Sequence, residues 1–155
     1  MTGFHPVEAI GIADCRLRIA DCGLRIADWN AKSTGTMNAE IFKKRTKAYA
    51  LRVMHVVESL PDTRTGRVIS NQLLRCSTSV GANYRAAARA KSQADFISKM
   101  GTVEEESDES LYWMELLIES GLAERECLAD LMAEGNEILA MVVSSIRTAR
   151  VRRNE

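Results

Sequence analysis

From Asn38 onward, apolar residues recur at spacings of three and four through four successive stretches. In the first, Phe42, Thr46, Tyr49, Val53, Val56 and Leu60 fall on one face of a helix. Pro61 and the following "DTRTG" end that helix and form a loop. The second stretch, from about residue 67 to 90, carries Ile69, Leu73, Cys76, Val80, Asn83 and Ala87 on one side. "KSQ" interrupts the pattern, and Ser92 stands where an N-cap is wanted, with Asp95 three residues on. The third aligns Phe96, Met100, Val103, Ser107, Ser110, Met114 and Leu117, with Trp113 and Leu116 beside the stripe. Gly121 in "ESGLAERE" suits a left-handed C-terminal cap. The fourth aligns Leu128, Leu131, Gly135, Ile138, Val142, Ser145 and Ala149. Four helices of roughly 20–28 residues joined by short loops predict an all-α fold, an antiparallel up-down-up-down four-helix bundle. Only 2 prolines and 5% aromatic residues in 155 agree, because a many-turned β architecture needs more of both.

Residues 1–36 read differently. "IADCRLR", "IADCGLR" and "IADWNAK" repeat with a period of seven from Ile12 to Lys32. On a helix, Ile12, Cys15, Ile19, Cys22, Ile26 and Trp29 would form an a/d stripe, the pattern of a short coiled-coil arm. The competing reading is a recently duplicated coding segment, since cysteine is an odd core residue and an isolated helix of about twenty residues containing glycine is marginal in water. "NAKSTGT" is a linker, and "MNAEIFKK" from Met37 has the look of a protein start. The expected organisation is a heptad-repeat extension and linker over 1–36, poorly ordered or partly helical, a bundle over 37–150, and a basic tail over 151–155.

Within the second helix, "CSTSVGANYRAAARAKSQADF" sets glycine and small residues in mid-run. Helical glycine costs about 1 kcal/mol against alanine, so Gly81, Gly101 and Gly135 need a reason. Close approach of another helix is the structural one. Ser79 and Asn83 then form a polar seam that needs hydrogen-bond partners, either a backbone carbonyl one turn earlier or a carboxylate of the third helix.

These residues also carry a resemblance. Residues 70–122 resemble the central motif of the bacterial four-helix-bundle proteins encoded in intervening sequences of large-subunit ribosomal RNA genes. The matching positions are Gln72, Leu73 and Arg75, then Ser79, Val80 and Asn83, then Phe96. The Glu-rich turn of Glu105, Glu106 and Glu109 follows, and Trp113 with Leu117 closes the motif. Many relatives have an acid and a glycine just after the asparagine, where this chain reads "NYRAAARA" and exchanges acid for Arg85. The resemblance covers about residues 38–150. It implies assembly into rings, homopentamers being the expected state. It also implies kinship with the accessory protein of diversity-generating retroelements, which partners a reverse transcriptase and its RNA.

Formal net charge is zero, yet the charges segregate. Residues 38–93 hold eleven basic residues and three acids; residues 94–137 hold two basic residues and thirteen acids. One reading is mutual neutralisation, within the bundle or between subunits. The other is a basic face that binds RNA or DNA phosphates, with Lys43, Lys44, Arg45, Lys47, Arg64, Arg67, Arg75, Arg85, Arg89 and Lys91 as candidates. Only Tyr49 and Tyr84 lie near these cations, so base stacking is not indicated.

Candidate chemistry is thin. None of Cys15, Cys22, Cys76 and Cys127 stands in a CxxC pair, and His55 precedes Glu58 in the reverse of the Glu-x-x-His order of bundle metal sites. No metal, cofactor or catalytic group is expected, and the cysteines read as reduced thiols. No apolar run approaches a membrane span, and no secretory leader is evident. The function expected is that of a non-enzymatic, cytoplasmic, self-associating scaffold or adaptor that touches nucleic acid. The alternative is a protein-only accessory subunit of an element-encoded enzyme such as a reverse transcriptase.

Overall fold

The structure is a computed structural model that describes residues 38–154, with side chains through Arg152. The heptad repeats and linker of residues 1–36 lie outside the described residues. Four helices follow in order: α1 (Ala39–Ser59), α2 (Arg64–Ala87), α3 (Gln93–Glu119) and α4 (Arg125–Asn154). No strand occurs among the described residues. Each helix packs along its neighbours: α1 on α2, α2 on α3, α3 on α4, and α4 back on α1. With such short connections this is the antiparallel up-down-up-down bundle.

Each boundary has a local cause. Asn38 Oδ1 accepts from the Glu40 amide at 2.9 Å and caps α1. Leu60, which precedes a proline, is extended and ends that helix. Thr63 Oγ1 accepts from the Gly66 amide at 2.9 Å, and Ser92 Oγ from the Asp95 amide at 3.1 Å. At the end of α3, Gly121 has φ +72°, where a side chain would be strained. The Gly121 amide donates to Ile118 O and the Leu122 amide to Leu117 O, each at 3.0 Å, while the buried Leu122 and Leu117 side chains close the motif. The last helix continues through Asn154, so residues 151–154, expected as a tail, form its final turn.

The core follows the predicted stripes. All of α1's stripe is buried except Leu60, and α3 buries Met100, Val103, Ser107, Ser110, Met114 and Leu117. In α2 the face is rotated slightly: Tyr84, not Asn83, enters the core. Tyr84 packs edge-on against Phe42 with ring centroids 4.4 Å apart, a burial gain that an amide does not match. At the centre, the buried Tyr49 hydroxyl and Ser110 Oγ share a hydrogen bond of 2.8 Å across the diagonal from α1 to α3. Ser110 also donates to Ser107 O at 2.7 Å. Burial pushes the Tyr49 phenol up, so it stays a neutral donor. Gly135 on α4 makes room for this pair: a Cβ there would meet Tyr49 Oη and Leu111 Cδ2, each at 2.9 Å.

Candidate nucleic-acid and assembly surface

The small-residue tract of α2 does lie against another helix. A Cβ on Gly81 would sit 3.4 Å from Thr46 Oγ1 and 3.7 Å from the Thr46 carbonyl carbon, so α1 crosses α2 at ordinary contact distance. Thr46 is fully buried and returns its hydroxyl to Phe42 O at 3.0 Å. The asparagine of the polar seam bonds within its own helix. Asn83 Nδ2 donates to Ser79 O at 3.0 Å, and both residues are half-buried. The buried Ser77 donates to Leu74 O at 3.2 Å.

The ten candidate cations separate into two groups. Arg45 is spent inside the bundle: its Nε donates to Glu134 Oε1 at 2.5 Å, its Nη2 to Glu134 Oε2 at 3.0 Å and to Glu137, and its Nη1 to Met141 Sδ at 3.2 Å. Glu134 is only 7% exposed, so this fork joins α1 to α4 where water screens little. Arg75 spans α2 to α3, reaching Glu106 at 3.3 Å and also Glu109, whose carboxylate takes the Trp113 indole N–H at 3.1 Å. The hydrogen bond from Arg75 holds the Glu109 carboxyl below the usual range, aided by that of Trp113. Lys43 pairs with Glu40 and Arg67 with Asp62, both at 2.6 Å. No ion pair among the described residues engages Lys44, Lys47, Arg64, Arg85, Arg89 or Lys91, all of which are exposed.

Topology gathers most of this second group at one end of the bundle. The start of α1, the end of α2, the start of α3 and the end of α4 meet there. Lys44, Lys47, Arg85, Arg89 and Lys91 therefore share that end with Arg147, Arg150 and Arg152 of α4. Among the described residues the only acids in these turns are Glu40 and Asp95, and each is engaged by a lysine, Lys43 and Lys99 respectively. The Lys43 hydrogen bond lowers the Glu40 pKa most, and the charges of Lys44 and Arg85 add to it, which places Arg85 close to the start of α1. Arg64 and Arg67 lie at the opposite end, near Glu58, Asp62, Glu119, Glu124 and Glu126. The α4 arginines were not among the candidates, although the up-down-up-down topology alone would have brought them to this end.

Between the ends of these helices lies an open groove of about 1290 Å³. Tyr84, Ala87, Phe96, Met141, Ser145 and Ala149 line it, with Arg152 at its border. Gln93 Nε2 donates to Ala149 O at 2.5 Å and ties α3 to α4 there. The thiols offer no chemistry at this site: Cys76 is buried in the core, its pKa pushed up to about 12 by desolvation. Among the described residues, no group of three or more His, Cys, Asp or Glu is placed to hold a metal ion, and no helix is long and apolar enough to cross a membrane.

A bundle with its motif on α2 and α3 and its cations at one end defines a class, and the sequence comparisons give it a family. The profile of the 23S rRNA-intervening sequence proteins matches residues 38–144, and the chain belongs to that family. A crystal structure of a protein with unknown function from the S23 ribosomal protein family of Bacteroides thetaiotaomicron VPI-5482 is similar. It is 34% identical, with a TM-score of 0.66 over 72% of this chain and 99% of that one. No curated protein matches.

Proposed function

We propose that this chain is a non-enzymatic, cytoplasmic, self-associating scaffold that contacts RNA or DNA through the basic end of its bundle, chiefly through Lys44, Lys47 and Arg85. The observation that carries the reading is the partition of the cations. Arg45 and Arg75 neutralise carboxylates of α4 and α3, while Lys44, Lys47 and Arg85 form no ion pair among the described residues. Phosphates are the counter-charge such an end attracts, without reading sequence. The homopentameric state implied by the family resemblance belongs to the same proposal. The buried thiol of Cys76 suits a reducing compartment.

Retention of the full chain on RNA as a function of salt tests the nucleic-acid half. Each phosphate contact adds about 0.7–0.9 to the slope of log affinity against log salt, so the K44E/K47E/R85E variant should lower that slope by roughly 2–3. Indifference of the wild type to RNA at low salt would overturn the reading. A protein-only accessory role with an enzyme such as a reverse transcriptase is favoured by one observation: α3 presents unpaired carboxylates that repel nucleic acid. Co-purification of a protein that survives nuclease treatment would support it.

A further inference from the structure

The outer face of α3 is unusual among the exposed surfaces. Glu105, Asp108, Tyr112, Glu115 and Glu119 step by three and four and are all exposed, forming one stripe. No ion pair among the described residues involves any of these four carboxylates; the α3 acids bound by Arg75 are their neighbours Glu106 and Glu109. In the middle stands Tyr112, 51% exposed, its ring held edge-on to Trp113 with centroids 5.2 Å apart. An amphipathic phenol fixed in place and ringed by acids is the composition of an interface anchor.

The groove at the basic end is its complement in charge and length. Its floor of alanines and serines lets a helix approach closely, with Phe96 and Met141 available to an aromatic ring. Cations accompany it: Arg45 and Arg152 line it, and Arg89 and Lys91 alternate along the chain with the lining residues Ala88, Ala90 and Ser92. The α4 wall from Ala140 to Arg152 is about 18 Å long at 1.5 Å per residue, and the α3 stripe from Glu105 to Glu119 about 21 Å. A chain cannot bring its own stripe to its own groove. Phe96 lines the groove and Tyr112 lies sixteen residues further along the same rigid helix, about 24 Å away.

We propose that the groove at the basic end receives the acidic outer face of α3 from a second copy of this chain, with Tyr112 as the central anchor and Arg89, Lys91 and Arg152 facing Glu105, Asp108, Glu115 and Glu119. This deepens the self-association reading above and rests on it. The two surfaces differ, so the contact is head-to-tail and closes into a ring or propagates. Arg45 takes no part, because its guanidinium is already held by Glu134 and Glu137. The cations assigned here are distinct from Lys44, Lys47 and Arg85, so assembly and phosphate contact can fail independently.

The test uses nuclease-treated full-length protein, native mass spectrometry and light scattering. Charge reversal in the groove (R89E/R152E) and on the stripe (D108K/E115K) should each reduce assemblies to monomers, while mixing the two variants restores high mass through the re-paired charges. Tyr112→Ser, a single exposed substitution with little bearing on folding, should weaken association at least about tenfold, the scale of a truncated hot-spot anchor. Circular dichroism reports whether the reversed variants stay helical. If they are folded and keep the wild-type mass, or if Tyr112→Ser associates normally, the docking is wrong while self-association stands. A wild type that is monomeric at every concentration removes both. Assembly that needs added RNA removes the docking.

Discussion

Replacing two glycines by alanine separates a glycine required by packing from one that is merely tolerated. At Gly101 an added Cβ meets nothing within 4 Å, so Gly101→Ala gains only the helix-propensity difference and should stabilise by about 0.5–1 kcal/mol. At Gly135 the same methyl meets Tyr49 Oη and Leu111 Cδ2, both at 2.9 Å. Neither neighbour yields easily: Tyr49 is 1% exposed and bonded to Ser110 at 2.8 Å, and Leu111 is buried. Overpacking of this kind costs about 1–3 kcal/mol, against about 1 kcal/mol returned by propensity. Gly135→Ala should therefore destabilise by up to about 2 kcal/mol, opposite in sign to Gly101→Ala. Far-ultraviolet circular dichroism during thermal unfolding, at one fixed protein concentration because assembly contributes to Tm, reads both. The two midpoints should straddle the wild type, separated by up to about 12 °C for a bundle of this size. Adding Tyr49→Phe to Gly135→Ala removes the hydroxyl contact, and the pair should be less destabilising than the sum by about 0.5–1 kcal/mol. An alanine at 135 that stabilises as much as one at 101 would refute the account of the core centre.

Three further outcomes follow from the ion pairs and thiols. Arg45→Ala leaves the nearly buried Glu134 without its counter-charge and should cost about 3 kcal/mol in urea unfolding, while Arg45→Met with Glu134→Leu should recover most of it. Arg75 depresses the Glu109 pKa in the folded state, so the stability it brings is present above the unfolded carboxylate pKa and is lost as pH falls through the lower folded value. Carboxyl titration by NMR should show Glu109 low in the wild type and raised in Arg75→Ala, with a shallower acid decline of stability in the variant. With its pKa at about 12, Cys76 should resist iodoacetamide at pH 8 in the native protein and react on unfolding, as mass spectrometry would show.

Most of the fold was open to reading because its causes are local or periodic. The α1 and α3 stripes, the Ser92 cap and the Gly121 turn each depend on residues within a few positions of one another. The choice between Asn83 and Tyr84 was not local: it depends on Phe42, far away in sequence, offering an edge for Tyr84 to pack against. Charge was read by helix, which separates basic α2 from acidic α3, whereas the molecule also divides its charge between its ends. Arg45 and Arg75 left the candidate surface because partners 89 and 31–34 residues away reach them. The α4 arginines joined it for a topological reason that no local pattern carries. The hydrogen bond from Tyr49 to Ser110 was invisible for the same cause, since the two residues meet only when diagonal helices face each other across the core.

A bundle whose cations crowd one tip behaves differently in an assembly from one charged along its flank. Each copy in an assembly contributes one such tip. Contacts too weak to hold a polyanion singly then act together, and binding becomes steep in the number of copies engaged.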